Sequence, residues 1–88
     1  MDLEWDEEKR QDALLNRGLD FADVSNIDLR SIITKPDLRY DYGEPSFSSF
    51  GLLDGSLINF VWTPRGSRIR IISMRKANDR ERKSYQAS

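Results

Sequence analysis

Apolar and polar positions change rhythm about halfway along the chain. Leu3, Glu4 and Trp5 alternate apolar, polar, apolar, which predicts a short strand. Asp6 then stands where a helix N-cap belongs, with Glu7 and Glu8 in the first turn, where the helix dipole favours acids. The helix is expected to run to Asn16 or Arg17. Gly18 follows as the left-handed residue that closes it. Its apolar stripe is thin, made of Ala13, Leu14 and Leu15. Asp20 caps a second short helix through Phe21, Ala22, Asp23 and Val24. Ile27, Leu29, Ile32 and Ile33 fit either a continued helix or a short strand, and Pro36 ends either one. Asp37 to Pro45 reads as a loop, whose Tyr40 and Tyr42 either pack over the core edge or stack on a base.

From Ser46 the period becomes two. Ser46–Gly51, Ser56–Thr63 and Arg68–Met74 are three β runs, joined by Asp54-Gly55 and by Pro64-Arg65-Gly66-Ser67. Two-residue turns at 54–55 and 65–66 would oppose Phe47 to Trp62, Trp62 to Ile69 and Phe60 to Ile71. One face then carries Phe47, Ile58, Phe60, Trp62, Ile69 and Ile71, and the N-terminal helices should cover it. The other face carries Ser46, Ser48, Phe50, Asn59, Val61, Thr63, Arg68, Arg70, Ile72 and Met74. In the last segment Asn78 and Glu81 have capping-box spacing, and Asp79 and Lys83 are an acid–base pair at i,i+4. A short C-terminal helix is expected, with almost no apolar face of its own.

Composition narrows the chemistry. The chain has 88 residues, no cysteine and no histidine. Disulfides, thiolate nucleophiles, zinc knuckles and Ser-His-Asp triads are therefore excluded. The length fits one domain over residues 1–88. Mean hydropathy is −0.68, and no apolar run approaches the ~18 residues of a membrane span. The acidic start lacks a signal-type apolar core, so a cytoplasmic protein with no membrane partner is expected. The net charge of −1 hides an asymmetry. Residues 1–44 hold 12 acids and 6 bases, net −6; residues 45–88 hold 3 acids and 8 bases, net +5. All eight of those bases fall between Arg65 and Lys83, which suggests a basic face for an anionic partner, nucleic acid being the commonest.

Phosphate loops of the GxGxxG or GxxxxGK[ST] type are absent, and no acid spacing imitates a calcium loop. What remains is an arginine group, Arg65, Arg68, Arg70 and Arg75, followed by Lys76, Arg80, Arg82 and Lys83. Guanidinium forks bind phosphate bidentately. Phe50, Tyr42 and Tyr85 are aromatic residues that could stack bases. The pattern fits binding of single-stranded or loop RNA, or cleavage within it.

Five segments in order carry a resemblance: Leu3-Glu4-Trp5-Asp6-Glu7-Glu8-Lys9; Arg17-Gly18-Leu19-Asp20-Phe21; Asp41-Tyr42-Gly43-Glu44; Gly51-Leu52-Leu53-Asp54-Gly55; and Arg68 to Asn78 with Glu81, Arg82 and Tyr85. Together they resemble the BrnT family of type II toxin–antitoxin toxins. The resemblance implies an α+β, RelE-like fold: a short N-terminal strand, two helices, a three-stranded antiparallel meander and a C-terminal helix. It also implies a ribonuclease that inhibits translation without a metal or other cofactor. The implied partners are RNA and a cognate antitoxin with a ribbon-helix-helix domain, operator DNA being met only through that antitoxin. Arg70, Arg75 and Lys76 match the family's strand pattern. With Glu81 they are the candidate catalytic group; Arg65, Arg68, Arg80, Arg82, Lys83 and Tyr85 are the candidate RNA contacts. For Arg75 the competing role is pairing with an acid such as Glu44 to hold the helix in place. Where family members commonly read Lys-His-Gly, this chain reads Asn16-Arg17-Gly18. A module of the same fold that binds RNA or antitoxin without cleaving is the alternative.

Overall fold

The computed structural model describes residues 2–38 and 43–87. Tyr40 and Tyr42 lie outside the described residues. Strand β1 (Leu3–Trp5) leads into helix α1 (Glu7–Arg17), two 3₁₀ turns (Phe21–Asn26 and Leu29–Ser31) and strand β2 (Ile33–Pro36). Strands β3 (Phe47–Leu53), β4 (Ser56–Arg65) and β5 (Arg68–Lys76) follow, and helix α2 (Asp79–Gln86) closes the chain. The five strands form one mixed α+β sheet in the order β1-β5-β4-β3-β2. β1 lies parallel to β5, and the other pairs are antiparallel.

Local chemistry explains the element ends. The Asp6 side chain accepts the Glu8 and Lys9 N–H groups at the start of α1, and Gly18 ends it at φ 68°. Asp20 and Asp28 cap the 3₁₀ turns in the same way. The ambiguous run after Val24 therefore resolves into a 3₁₀ turn and then β2, which stops at Pro36. Of the expected stripe on α1, only Ala13 is buried; Leu14 is 42% and Leu15 85% exposed. Three consecutive helical residues fan over about 200° at 3.6 residues per turn, so they cannot all face inward.

The sheet buries one face under α1 and the 3₁₀ turns. Ala13, Leu19, Phe21, Val24 and Ile27 pack there against Ile58, Phe60, Ile71 and Met74, with Leu3, Trp5, Trp62 and Ile69 partly buried around them. Phe47 and Trp62 stack with centroids 4.9 Å apart.

The β3–β4 register is as expected, with Phe47 opposite Trp62. The β4–β5 register is not. Trp62 opposes Ile71, Phe60 opposes Met74, and Arg65 opposes Arg68. The turn is Gly66-Ser67 instead of Arg65-Gly66. Gly66 sits at φ 59°, and a glycine of positive φ at the first central position is what a type II′ hairpin requires. Val61 opposes Ser73 while Trp62 opposes Ile71, so Ile72 is an extra residue, a β-bulge. The bulge reverses the side-chain alternation, so Met74 points into the core at 0% exposure instead of joining the outer face.

Candidate functional site

The register sets out the outer face in cross-strand rows. Ile33, Phe50, Asn59 and Arg75 form one row, and Lys35, Ser48, Val61 and Ser73 the next. Thr63, Arg70 and Glu4 form a third. Successive rows lie about 7 Å apart along the strands. Asn59, 2% exposed, donates through its amide to the Ser48 hydroxyl (2.9 Å) and the Ser49 carbonyl (3.0 Å), which ties the centre of this face together.

Helix α2 lies over the first row. Its N-terminus carries the expected capping box: the Asn78 side chain accepts the Glu81 N–H, and the Glu81 carboxylate accepts the Asn78 N–H at 2.9 Å. The same carboxylate takes the Arg75 guanidinium as a fork, Nη1 to Oε1 at 2.7 Å and Nη2 to Oε2 at 2.8 Å. At the other end of α2 the Tyr85 hydroxyl donates to the Ser31 carbonyl at 2.6 Å. Glu81 and Tyr85, half-buried, thus both help to dock α2. Asp79 pairs with Arg82 instead of Lys83, and Arg82 also donates to the Ala77 carbonyl.

Between α2 and the strands lies a cavity of about 280 Å³, lined by Ile33, Lys35, Phe50, Glu81, Ser84 and Tyr85. Glu81 and Tyr85 hold α2 beside β2 and β3 around it, and Phe50 of β3 lines it from the sheet.

The eight bases of the second half do not form one patch. Four are paired with acids: Arg65 with Glu44 (3.0 Å), Arg70 with Glu4 (2.9 Å), Arg75 with Glu81, and Arg82 with Asp79. Glu44, the acid considered for Arg75, holds Arg65. Arg68, Lys76, Arg80 and Lys83 make no ion pair among the described residues. Arg65 and Arg68 flank the β4–β5 turn, whereas Lys76 and the α2 bases sit at the far end of β5, about 26 Å away at roughly 3.3 Å per residue. Neighbouring strand residues alternate faces, so Arg75 lies on the α2 side and Lys76 on the other.

The structure thus brings together Arg75, Glu81 and Tyr85, with Arg70 two rows away on the same face. Arg65 and Arg68 stand at the β4–β5 turn, at the other end of β5, and Arg80 and Lys83 on α2. Sequence reasoning missed Lys35, Glu4 and the Asn59–Ser48 pair. Lys35 had a signal: read as a strand, the run before Pro36 places Ile33 and Lys35 on one face.

A second cleft, about 370 Å³, lies where β5 runs on past the short β1; Lys9, Asp12, Asn16, Arg17, Ile72 and Ser73 line it. Arg17 donates to the Met74 carbonyl at 3.0 Å across its edge.

The model of the family described as ribonuclease toxin, BrnT, of type II toxin–antitoxin systems matches residues 5–81. The chain belongs to the BrnT toxin family. Comparison with curated proteins gave no match. The BrnT match runs from the end of β1 into the first turn of α2 and contains Arg70, Arg75, Lys76 and Glu81; Tyr85 lies beyond it. Membership in a family of type II toxins carries with it a ribonuclease activity and an antitoxin partner at that level of description. No helix among the described residues is long and apolar enough to cross a membrane.

Proposed function

We propose that this chain, acting as one domain over residues 1–88, cleaves RNA in the cytoplasm without a metal and so inhibits translation. We propose further that an antitoxin carrying a ribbon-helix-helix domain silences it and brings it to operator DNA. The observation that carries the reading is the Arg75–Glu81 fork at the edge of a cavity walled by Phe50 and Tyr85. A guanidinium and a carboxylate held side by side supply charge stabilisation and a base for cleavage by the RNA's own 2′-hydroxyl.

In that reaction the 2′-oxygen attacks the adjacent phosphorus, the bond from phosphorus to the 5′-oxygen breaks, and a 2′,3′-cyclic phosphate and a 5′-hydroxyl result. Arg75 takes the phosphate and offsets the negative charge that builds on it. The phosphate competes for the guanidinium, the Glu81 carboxylate so released takes the 2′-hydroxyl proton, and the leaving 5′-oxygen takes a proton from water. Arg70, held by Glu4, is the second cation of the same face, and Lys76 contacts the backbone where β5 ends. Arg65, Arg68, Arg80, Arg82 and Lys83 guide the strand as rim charges.

The reading without cleavage rests on Arg17. It stands where the family resemblance places a histidine, and its guanidinium is engaged with the Met74 carbonyl. Incubation of the purified chain with unstructured RNA in a chelator decides between the two. Cyclic-phosphate products, lost in Arg70→Ala and Arg75→Ala with little change in melting temperature, support the ribonuclease. Binding without products favours the alternative reading.

A further inference from the structure

We infer that the cavity between β2, β3 and α2 holds one unpaired base of the RNA strand, next to the phosphate taken by Arg75. The inference rests on the ribonuclease reading and adds to it a subsite and the residues that form it. The size suits one heterocycle: about 280 Å³ is just below the ~300–1,000 Å³ of pockets that enclose drug-sized ligands. The lining is of the kind that accepts a flat, apolar-faced, polar-edged group. Ile33, Phe50 and Tyr85 give the faces; Lys35, Ser84 and Glu81 give polar groups around them.

Both rings are held in advance. Phe50 stands in the sheet between Ile33 and Asn59, and the Tyr85 ring is pinned through its hydroxyl to the Ser31 carbonyl. A base entering this site meets walls that need little reordering, which is where stacking affinity is otherwise lost. Lys35 is exposed, stands one strand over and one row along from Phe50, and makes no ion pair among the described residues. Its ammonium is placed for the phosphate on the far side of the base. Glu81 belongs to both cavity and fork, so an occupied cavity sets the adjacent phosphate at Arg75. The pocket therefore fixes which linkage of the strand is cut.

The test uses a short unstructured RNA bearing one abasic nucleotide at each position in turn, with binding and cleavage measured on the intact chain. A single abasic position near the cut should weaken binding by about 5- to 150-fold, the range for loss of one stacked base. Phe50→Leu, which keeps apolar bulk but removes the ring, should impose a similar loss on normal RNA and erase the penalty at that position. Lys35→Ala, an exposed change, should lower the salt dependence by about one phosphate contact, roughly 0.7 in the log–log slope for a single strand. A flat abasic profile with wild-type protein overturns the pocket whatever the variants do. So does wild-type behaviour of both Phe50→Leu and Lys35→Ala while Arg75→Ala still abolishes cleavage; the ribonuclease reading then stands alone. Absence of both binding and cleavage in the unmodified chain overturns both.

Discussion

Glu81 holds two jobs at once, and Glu81→Gln separates them. Glutamine at this position keeps the capping box, because its amide oxygen still accepts the Asn78 N–H. It removes the negative charge opposite Arg75 and the capacity to take a proton. The stability cost should be small. The pair is partly exposed, with side-chain exposures of 36% for Arg75 and 22% for Glu81. Exposed or partly exposed ion pairs contribute about 0.2–1 kcal/mol. For a domain of this size that is a fall in melting temperature of at most about 8 °C. Cleavage, by contrast, should fall by about 10²–10⁴, the usual contribution of a positioned acid or base. Glu81→Ala, which also opens the cap, should lose a further ~0.5–2 kcal/mol. Thermal unfolding by circular dichroism and single-turnover cleavage of one defined RNA, run on the same preparations, give both numbers. Cleavage within a few-fold of wild type in Glu81→Gln would refute the catalytic role. A melting temperature lowered as far as in Glu81→Ala would show that the cap does not survive the exchange, and the separation itself would fail.

Gly51→Ala should destabilise by about 1–3 kcal/mol, since the added Cβ would lie 2.5 Å from Cγ2 of Ile27, which is itself 3% exposed; a thermal melt reads this, and no loss would show that the core beneath β3 can yield. Trp62→Ala should cost about 3 kcal/mol or more, removing the stack on Phe47 and the indole N–H that Ser49 accepts at 2.8 Å; wild-type unfolding by denaturant would contradict its place on the core face. Acid should weaken the fold through Asp20, whose pKa is held below its ordinary value by hydrogen bonds from Arg10 and the Ala22 N–H. A carboxylate depressed in the folded state stabilises above its unfolded pKa, and that contribution drains away as pH falls through the folded value. Asp20→Asn should therefore lose less melting temperature than wild type between about pH 5 and pH 2, and parallel curves would rule the pair out as a cause. RNA binding should fall with salt at a log–log slope of about −3 if the four bases without ion pairs, Arg68, Lys76, Arg80 and Lys83, each meet a phosphate; a filter-binding series with a flat slope would deny them that role.

Much of the fold was legible because its signals are local. Asp6, Gly18, Asp54-Gly55 and the Asn78–Glu81 spacing each act within a few residues, and each stands where the pattern places it. β2 was ambiguous because its four residues mix apolar and polar positions, and pairing with β3, distant in sequence, is what makes it a strand. The β4–β5 register was misplaced because two events compound: a turn one residue further along than expected, which shifts the pairing by two, and a bulge at Ile72 that has no sequence mark of its own. Among site residues, the basic cluster was plain but its neutralisation was not. Glu4 and Glu44 come from the acidic half, and only the three-dimensional pairing of β1 with β5 sets Glu4 beside Arg70. The charge split therefore recorded which residues would meet, more than it recorded an open basic surface.

The pairing of β1 with β5 also orders events in time. Glu4 and Arg70 are separated by 66 positions, and among the described residues β1 has β5 as its only strand neighbour. At about 5–20 residues per second, roughly 3 to 13 s pass between synthesis of the first strand and of its partner. During that interval α1 can coil, but Ala13 and Phe21 have no Ile71 or Met74 to cover them. Arg70 and Arg75 reach their places only when the last strand enters the sheet between β1 and β4. A chain whose β5 has not yet emerged from the ribosome thus lacks Arg70 and Arg75 on the sheet, and whatever this protein does to RNA through them waits for that strand.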